Sequence, residues 1–404
     1  MMISRLILKN WKNFKSVDVP LSARTFIMGP NGIGKSNLLD ALRFLCDIAR
    51  PDGGLSFALH ARGGLEKIKF AAAKKKELVE LEIHLADSLL IGTYYRYSLG
   101  ITTEPSGLPL LAYERVRKSG ELILDRPDKK DVENSDFLAQ TRLETVHSGI
   151  SSDRIDLKEI AYFLGSISYL NFNPMLLRHQ YPFPPADIPG DPFGRKILQR
   201  VAEMPEDKRE NKIRVIEDTL KMAMPQMPKL RFSPGKSARP DLEGTFDIGR
   251  PRAKFNMDQI SDGTLAAFAI LWSFLEDGPL LLLENPEAYL NPETIHRMCF
   301  ILYFGSALGR KKQLIMSTHS SEFLKDKITP ITAKEIILLA AGSYKEGTLA
   351  VSASSVPAMV DDMESGMSAD EVVMEYAGSL DLMEGLSEFM GLNLDFTDKM
   401  RRAK

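Results

Sequence analysis

Residues 29–36 read Gly-Pro-Asn-Gly-Ile-Gly-Lys-Ser, which fits the P-loop pattern G-x-x-x-x-G-K-[ST] at every fixed position. Its three glycines let backbone N–H groups turn inward around phosphate oxygens, where a Cβ atom would obstruct them. In such a loop Lys35 reaches the β- and γ-phosphates of a nucleotide, and the Ser36 hydroxyl ligates Mg²⁺. The predicted nucleotide-contacting residues are Gly29, Pro30, Asn31, Gly32, Ile33, Gly34, Lys35, Ser36 and Asn37.

The segments on either side of this loop predict the strand and the helix that a P-loop requires. Residues 25–28 form a short apolar run that is typical of a strand, and residues 37–48 carry apolar side chains at helical spacing. A glycine loop between a strand and a helix N-terminus makes an anion site. The alternative, a glycine-rich turn that matches the pattern by chance, is disfavoured because both flanks agree.

The bulk composition is that of an ordinary globular protein. The chain has 404 residues, of which 44% are hydrophobic and 26% are charged, with a net charge of −2. This length predicts two or three domains, or one large domain with an insertion. The near-zero net charge argues against wholesale coating of nucleic acid and leaves a local basic face open.

Cysteine usage and hydropathy predict a cytoplasmic protein that does not enter a membrane. Cys46 and Cys299 lie in apolar helical contexts without metal-ligand spacing, which favours a reducing compartment. Residues 1–12 include charged side chains and no long apolar run, so no secretion signal is expected. No apolar run approaches the ~20 residues that a membrane span needs.

Changes in pattern along the chain predict four segments. Residues 1–125 contain the P-loop and then strand-like stretches expected to form an antiparallel β subdomain. Residues 126–245 read as a mainly helical insertion, and the charged stretch 125–136 is expected to be a surface loop. Residues 246–345 return to buried strands and helices, and residues 346–404 are an acidic, helix-prone extension.

A second strand ends in acidic residues. Residues 279–283 are an unbroken apolar run, typical of a buried parallel strand, and they lead into Glu284-Asn285-Pro286-Glu287. A carboxylate at the carboxyl end of a strand beside a P-loop strand is placed to bind Mg²⁺. Glu284 is one methylene longer than the usual Asp, so we expect it to act through water. The alternative is a strand-terminal charge that faces solvent.

Two short motifs add groups that can meet a phosphate. Ser261 can cap the helix that follows it, and Gly263 leaves room for the backbone to approach a phosphate, although a plain helix cap is the alternative. His319 follows a predicted strand at 313–318, a position from which an imidazole can reach a γ-phosphate.

The order and spacing of these motifs resemble the ABC-type ATPase heads of the RecF/SMC/OLD group, and most of all its short, stand-alone members associated with bacterial defence. The resemblance covers residues 1–125 and 246–345. It implies an α/β P-loop NTPase fold with an ABC-type head, made of a mixed sheet, an antiparallel β subdomain and a helical insertion. The motifs that carry it are Asn13-Phe-Lys-Ser16, the P-loop, Ser261-Asp-Gly263, Glu284-Asn-Pro-Glu287 and Ser317-Thr-His319.

The resemblance also implies roles for single residues. By this resemblance, Lys35, Ser36 and Glu284 hold ATP and Mg²⁺, Lys15 contacts phosphate, and His319 senses the γ-phosphate. The signature segment, Ser261, Asp262 and Gly263, would press on the γ-phosphate of the opposite subunit, so ATP would join two heads as a homodimer and hydrolysis would release them. Residues 289–291 match the loop that crosses the dimer seam.

Three departures from the family pattern bear on chemistry. Asn285 stands where relatives usually carry a carboxylate base, and an amide has no useful basicity, so hydrolysis is expected to be slow or to use Glu287. No clear glutamine loop is present, and residues 63–70 occupy its expected region. No nuclease domain follows His319, so any effector activity is expected from a partner protein. The candidate catalytic residues are Glu284, Asn285, Glu287 and His319.

Three functions remain open at this stage. The leading one is an ATP-switched dimeric head in DNA maintenance or anti-phage defence. The second is a slow-turnover, ATP-dependent scaffold that restrains an effector, which Asn285 favours. The third, a transporter nucleotide-binding subunit, is disfavoured by the missing glutamine loop. DNA contact through the lysines of residues 67–76 is open, although a solvated loop is the favoured interpretation.

Overall fold

The computed structural model describes most of the chain as two compact units. The first unit comprises Met1–Ser166 and Ile331–Lys404, and the second comprises Ile167–Pro330. The described residues are 1–86, 93–103, 109–133, 135–147, 155–179, 190–223, 229–233, 240–246, 253–307, 312–325 and 330–376.

The strands, in chain order, are β1 (Met2–Trp11), β2 (Phe14–Pro20), β3 (Arg24–Met28), β4 (Val79–Ala86), β5 (Thr93–Thr103), β6 (Pro109–Lys118), β7 (Glu121–Arg126), β8 (Ser168–Leu170), β9 (Lys229–Ser233), β10 (Asp241–Phe246), β11 (Ala253–Phe255), β12 (Leu280–Glu284), β13 (Gln313–Ser317), β14 (Ile336–Ala341) and β15 (Thr348–Ser352).

The α-helices are α1 (Lys35–Ala49), α2 (Leu55–His60), α3 (Leu65–Ile68), α4 (Lys129–Glu133), α5 (Arg142–Thr145), α6 (Ile155–Gly165), α7 (Pro174–Arg178), α8 (Ile197–Glu203), α9 (Glu206–Ala223), α10 (Asp262–Leu275), α11 (Pro292–Ala307), α12 (Pro357–Glu364) and α13 (Ala369–Tyr376). Short 3₁₀ turns are Ser135–Ala139, Met257–Gln259, Pro286–Tyr289, Ser321–Leu324, Ala333–Glu335 and Ala353–Ser355.

The first unit combines an antiparallel sheet with the strand that leads into the P-loop. Its large sheet has the order β2-β1-β4-β5-β6-β7, and the pairings are antiparallel throughout. The predicted antiparallel strands are therefore confirmed. Strand β3 pairs in parallel with β14, which in turn pairs with β15 in antiparallel fashion.

The second unit is built around two parallel strands of unbroken apolar sequence. Strand β12 pairs in parallel with β13 and with β8, and every residue of β12 and β13 is buried. The predicted strands at 279–283 and 313–318 are thus confirmed. Helix α10 is buried from Thr264 to Leu275, as expected for a helix that is hydrophobic all round.

The compact units divide the chain differently from the four segments predicted from sequence. The unit boundaries fall at 166/167 and 330/331, whereas the predicted segments meet at 125/126, 245/246 and 345/346. The four segments therefore stay a sequence-based prediction. Helices α12 and α13 agree with the predicted helical character near the C-terminus, and residues 377–404 lie outside the described residues.

The expected surface loop at 125–136 is wrong for the described residues at its beginning. Arg126 and Asp131 are buried, and their side chains join Glu114 in an ion network in which all three side chains are at most 1% exposed. The Arg126 guanidinium donates to the Glu114 carboxylate at 2.9 Å and to both oxygens of Asp131 at 2.8 and 2.9 Å. Further donors to Glu114 are the Tyr97 hydroxyl and the Arg142 backbone N–H.

This network makes the stability of the first unit depend on pH. The hydrogen bond from Arg126 lowers the pKa of Asp131 below its ordinary value, and burial opposes that effect. Because the folded pKa lies below the unfolded one, the stabilisation is complete above the unfolded pKa. It is lost as the pH falls through the folded value.

Arg126→Met is expected to destabilise the protein by about 3–5 kcal/mol, because it leaves the buried carboxylates of Glu114 and Asp131 uncompensated. The matched control is Arg115→Met, since Arg115 pairs with Asp125 at the surface, where such pairs contribute about 0–1 kcal/mol. Denaturant unfolding curves measure both variants. Equal, small losses would contradict the assignment of a buried network.

Candidate functional site

The P-loop of the first unit has the strand-loop-helix form predicted from its sequence. Strand β3 ends at Met28 and α1 begins at Lys35. Gly29, Gly32 and Gly34 all have positive φ angles, of 149°, 76° and 110°, which non-glycine residues rarely adopt.

Two of these glycines are also required by close neighbours. A Cβ atom at Gly29 would lie 2.7 Å from the Leu339 carbonyl oxygen, and one at Gly34 would lie 2.1 Å from the Asn13 side-chain nitrogen. The glycines therefore allow the chain to approach its own neighbours, besides leaving room for the phosphates that the sequence predicts.

The Lys35 side chain folds back onto the backbone of this loop. Its side chain is buried, with 6% of the residue exposed, and Nζ donates to the carbonyl oxygens of Gly29 at 2.8 Å and Pro30 at 2.9 Å. These two bonds hold the ammonium group against the backbone of the loop. Phosphate oxygens would be stronger partners for it, because their negative charge adds Coulombic attraction to the hydrogen bond.

The side-chain amide of Asn13 fastens the loop to two other segments of the first unit. Asn13 Nδ2 donates to the Ile33 carbonyl at 2.7 Å and to Thr348 Oγ1 at 2.6 Å. Asn13 Oδ1 accepts from Asn37 Nδ2 at 2.8 Å, and the Thr348 hydroxyl donates to the same Ile33 carbonyl at 2.8 Å. Asn37 therefore has a structural partner besides its predicted nucleotide contact.

Sequence reasoning missed the part played by Thr348 and gave Asn13 no separate role. Thr348 is 335 positions from Asn13, and no local pattern marks it. Asn13 did carry a signal, because it opens one of the motifs on which the family resemblance rests. Lys15, the predicted phosphate contact of that motif, is exposed on β2, and its role stays a prediction.

An open cavity of about 970 Å³ lies beside α1 within the first unit, and Asn37 and Asn13 line it. Its wall also contains Arg62, a residue that sequence reasoning did not single out, and the aromatic rings of Phe70 and Tyr344. The volume is at the upper end of the range typical for small-molecule sites, and it suffices for the nucleoside part of a nucleotide.

Ion pairs fix one wall of this cavity. Arg62 contacts Asp40 at 2.8 Å and Asp47 at 2.9 Å, and Lys12 contacts Asp40 at 2.6 Å. Burial raises the pKa of Asp40, but Arg62 and Lys12 together lower it below its ordinary value. The carboxylate is thus charged at neutral pH and keeps both cations in place.

In the second unit, Glu284 ends β12 and is 8% exposed. The hydroxyl of Tyr169 on β8 donates a hydrogen bond to its carboxylate. Asn285 follows with φ 46° and ψ 52°, the left-handed region that Asn tolerates better than most residues. The left-handed backbone conformation is thus one reason for Asn at this position. The backbone N–H of Asn285 donates to the Ser317 carbonyl at 3.0 Å.

Glu287 and Ser317 carry buried polar atoms that lack partners. Glu287 Oε1 accepts the backbone N–H of His319 at 2.6 Å. Glu287 Oε2 and the Ser317 hydroxyl are buried and have no hydrogen-bond partner among the described residues. Such atoms are rare in native proteins and often mark a place for water, an ion or a ligand.

The signature segment opens α10 and is held by contacts within the second unit. Ser261 caps the helix, because its Oγ accepts the Thr264 N–H at 3.3 Å. A Cβ atom at Gly263 would lie 2.8 Å from the Tyr289 carbonyl oxygen, so this glycine is needed for close packing within the chain. Asp262 forms an ion pair with Arg178, a residue that sequence reasoning missed.

Each unit thus brings together a subset of the predicted site. The first unit gathers the P-loop, Asn37 and the cavity, and the second gathers Glu284, Asn285, Glu287 and His319. Among the described residues, no group of three His, Cys, Asp or Glu side chains could hold a metal ion by itself. The predicted Mg²⁺ ligands Ser36 and Glu284 stay a prediction; Mg²⁺ commonly takes one or two protein ligands together with substrate phosphates.

A family model described as "AAA domain, putative AbiEii toxin, Type IV TA system" matches residues 24–325. The chain belongs to this family. The match includes the P-loop, the signature segment, Glu284 and His319. It confirms the resemblance to ATPase heads of the defence-associated kind, and it makes the chain an AAA-type ATPase by family.

Two further comparisons concern a curated protein and a solved structure. The chain is 47% identical over 47 residues to endonuclease GajA of Bacillus cereus (strain VD045), a match that covers 12% of this chain and only 8% of that protein. The solved structure of the SMC head bound to the C-winged helix domain of ScpA is 16% identical, with a TM-score of 0.53. The similarity covers 87% of this chain and 98% of the SMC head, which confirms the predicted fold of a P-loop NTPase with an ABC-type head.

Within the described part of the chain, no helix combines the length and the apolar character needed to cross a membrane.

Lys35→Ala is expected to weaken ATP binding by about 3 kcal/mol, roughly a hundredfold, because it removes the charge-assisted bonds to phosphate. Calorimetric titration measures the affinity, and a melting curve checks the fold, since the variant also loses the bonds to Gly29 and Pro30. Lys9→Ala is the control, because Lys9 is an exposed lysine on β1. An unchanged affinity of Lys35→Ala for ATP would contradict the assignment of residues 29–36 as a P-loop.

Proposed function

We propose that this protein binds and hydrolyses ATP, dimerises when ATP is bound, and acts as a switch in DNA maintenance or anti-phage defence. The observation that carries the proposal is the P-loop, in which three positive-φ glycines and the buried Lys35 form a cradle between β3 and α1. The family match over residues 24–325 supports it, because the same stretch contains every predicted site motif except the one that begins at Asn13.

In this proposal the chain binds each part of the nucleotide with a different group. Lys35 and the backbone N–H groups of the loop hold the phosphates, and the cavity beside α1 receives the nucleoside. Ser36 and Glu284 are the proposed ligands of Mg²⁺, which when bound neutralises charge that develops on the phosphate oxygens. Tyr169 orients the Glu284 carboxylate through its hydroxyl.

The proposed hydrolysis is slow because Asn285 supplies no base. Its amide can orient a water molecule by hydrogen bonding, and it cannot accept the proton of that water. Glu287 is the remaining base of this segment, and its unpartnered Oε2 supports that role. Attack of the water on the γ-phosphorus breaks the bond to the β,γ-bridging oxygen, and Glu287 accepts the proton. His319 is proposed to sense the γ-phosphate and, through its backbone N–H, holds Glu287 in place.

A second function, a slow-turnover scaffold that restrains an effector protein, is favoured by Asn285. Because Asn285 supplies no base, hydrolysis is slow in this proposal, so the ATP-bound dimer lasts long and the bound state itself becomes the output. The proposal of a protein partner is supported by the related SMC head, which is bound to a domain of ScpA. The match covers only 8% of endonuclease GajA, so the nuclease activity of that protein is not carried over to this chain, and DNA contact stays a proposal.

ATP is expected to drive association of two copies, because the signature segment of one copy completes the γ-phosphate site of the other. Light scattering with a non-hydrolysable ATP analogue should show a doubled mass. Ser261→Arg should prevent it through bulk placed at the N-terminus of α10. A constant mass over a wide concentration range, with and without the analogue, would contradict ATP sandwiched between two copies, the arrangement called here the ATP sandwich.

Asn285→Asp is expected to speed single-turnover hydrolysis at saturating ATP. General-base assistance is typically worth ~10²–10⁴-fold, so even a poorly placed carboxylate should give a rise of roughly tenfold or more. Aspartate also tolerates the left-handed backbone, whereas glutamate would add strain.

Asn285→Gly serves as the control, since it keeps the backbone conformation and removes the side chain. Glu287→Gln should lower the rate of the otherwise unchanged protein. The slow-switch proposal fails if Asn285→Asp binds ATP normally and hydrolyses it no faster than the original chain.

A further inference from the structure

Arg178 connects a short helix to the segment that opens α10. It is the last residue of α7, and its guanidinium donates to the Asp262 carboxylate through Nη1 and to the Ile260 carbonyl through Nη2. A third, longer bond of 3.4 Å runs from Nε to the Met257 carbonyl. The Arg178 side chain thus contacts the turn at Met257, the carbonyl of Ile260 before Ser261, and Asp262 within the signature segment.

The guanidinium is well placed to fix that segment. The Arg178 side chain is 12% exposed, whereas Asp262 is 48% exposed, so the arginine reaches outward from a mostly buried position to a surface carboxylate. Helix α7 is itself anchored, because Asn173 caps it by accepting the Met175 N–H at 3.0 Å. A planar guanidinium with several fixed donors restricts orientation more than a single point charge does.

The ion pair also changes the charge that an approaching phosphate meets. Asp262 lies in the first turn of α10, between Ser261 and Gly263, which are proposed to meet the γ-phosphate of a second copy. An unpaired carboxylate there would repel the triphosphate. Paired with Arg178, it contributes almost no net charge, and the helix N-terminus remains attractive to anions.

We infer that Arg178 is a positioning residue for ATP-driven association. It holds the signature segment in shape and neutralises Asp262, so that a second copy can place its γ-phosphate against Ser261 and Gly263. This inference rests on the proposed ATP sandwich. It adds a residue from α7, outside every motif that the sequence analysis identified.

The test compares four proteins: Arg178→Ala, Asp262→Asn, the double variant, and Arg297→Ala. The last is a matched control, because Arg297 lies on α11 and pairs with Glu293 at the surface of the same unit. Light scattering with a non-hydrolysable ATP analogue measures the association constant at low and high salt. Calorimetry measures analogue affinity for the single copy, and melting curves check the fold.

Arg178→Ala should weaken association by roughly tenfold or more, and the loss should be larger at low salt, where repulsion is least screened. The double variant should recover part of that loss, because the neutral amide introduced by Asp262→Asn does not repel phosphate. A purely structural role would give no such recovery and no dependence on salt. Analogue affinity for the single copy should stay unchanged, as should association of Arg297→Ala.

Two results would overturn the inference, and they differ in what else they affect. If the original chain associates with the analogue and Arg178→Ala associates equally well, the inference alone is wrong. If the original chain does not associate at all, the proposal of ATP-driven association of two copies is wrong, and so is the role inferred for Arg178.

Discussion

The side-chain amide of Asn13 is the interaction on which the geometry of the nucleotide cradle depends. It uses both of its polar atoms, joining the turn after β1, the P-loop and the start of β15. Asn13 is only partly buried, but both polar atoms of its amide have partners, which favours a single arrangement of the segments around it, because other arrangements leave those groups unpaired. The loop proposed to hold phosphates is therefore fixed by contacts within the chain itself.

The close approach of Asn13 imposes glycine at two distant positions. Gly34 faces its side-chain nitrogen, and a Cβ atom at Gly347 would lie 2.2 Å from its carbonyl oxygen. Gly347 also has a φ angle of 70°, and its neighbour Thr348 donates its backbone N–H to the same carbonyl. Gly34 thus serves the packing of the first unit besides the phosphate binding proposed for its loop.

In the second unit, the backbone conformation explains one residue after β12, and a buried carboxylate oxygen draws attention to another. Asn285 occupies a left-handed position that suits an amide side chain, while Glu287 keeps a buried oxygen that has no partner within the described part of the chain. A buried, unpaired carboxylate oxygen is costly to the folded state, and proteins tolerate such costs chiefly at functional sites. That cost is a reason to look for chemistry at Glu287 rather than at Asn285 alone.

Elements with strong, uninterrupted patterns could be predicted from the amino-acid sequence. Apolar runs identified β12 and β13, helical periodicity and the glycine pattern identified the P-loop and α1, and the motif order identified the family. These features are local, so they depend only on neighbours in the chain. The charged stretch at 125–136 was misassigned at its beginning, because charge and proline predict exposure, and pairing with Glu114 and Asp131 makes burial of Arg126 tolerable.

Contacts between side chains that are distant in sequence, in contrast, became known only from the folded structure. Thr348 contacts Asn13, Tyr169 contacts Glu284, and Arg178 contacts Asp262, and none of these partners lies in a motif next to the residue it serves. Each contact depends on how strands and helices pack, and packing is set by the sum of many weak, non-local interactions. A linear pattern can name the residues that touch a ligand, but the residues that hold them in place are fixed by tertiary packing.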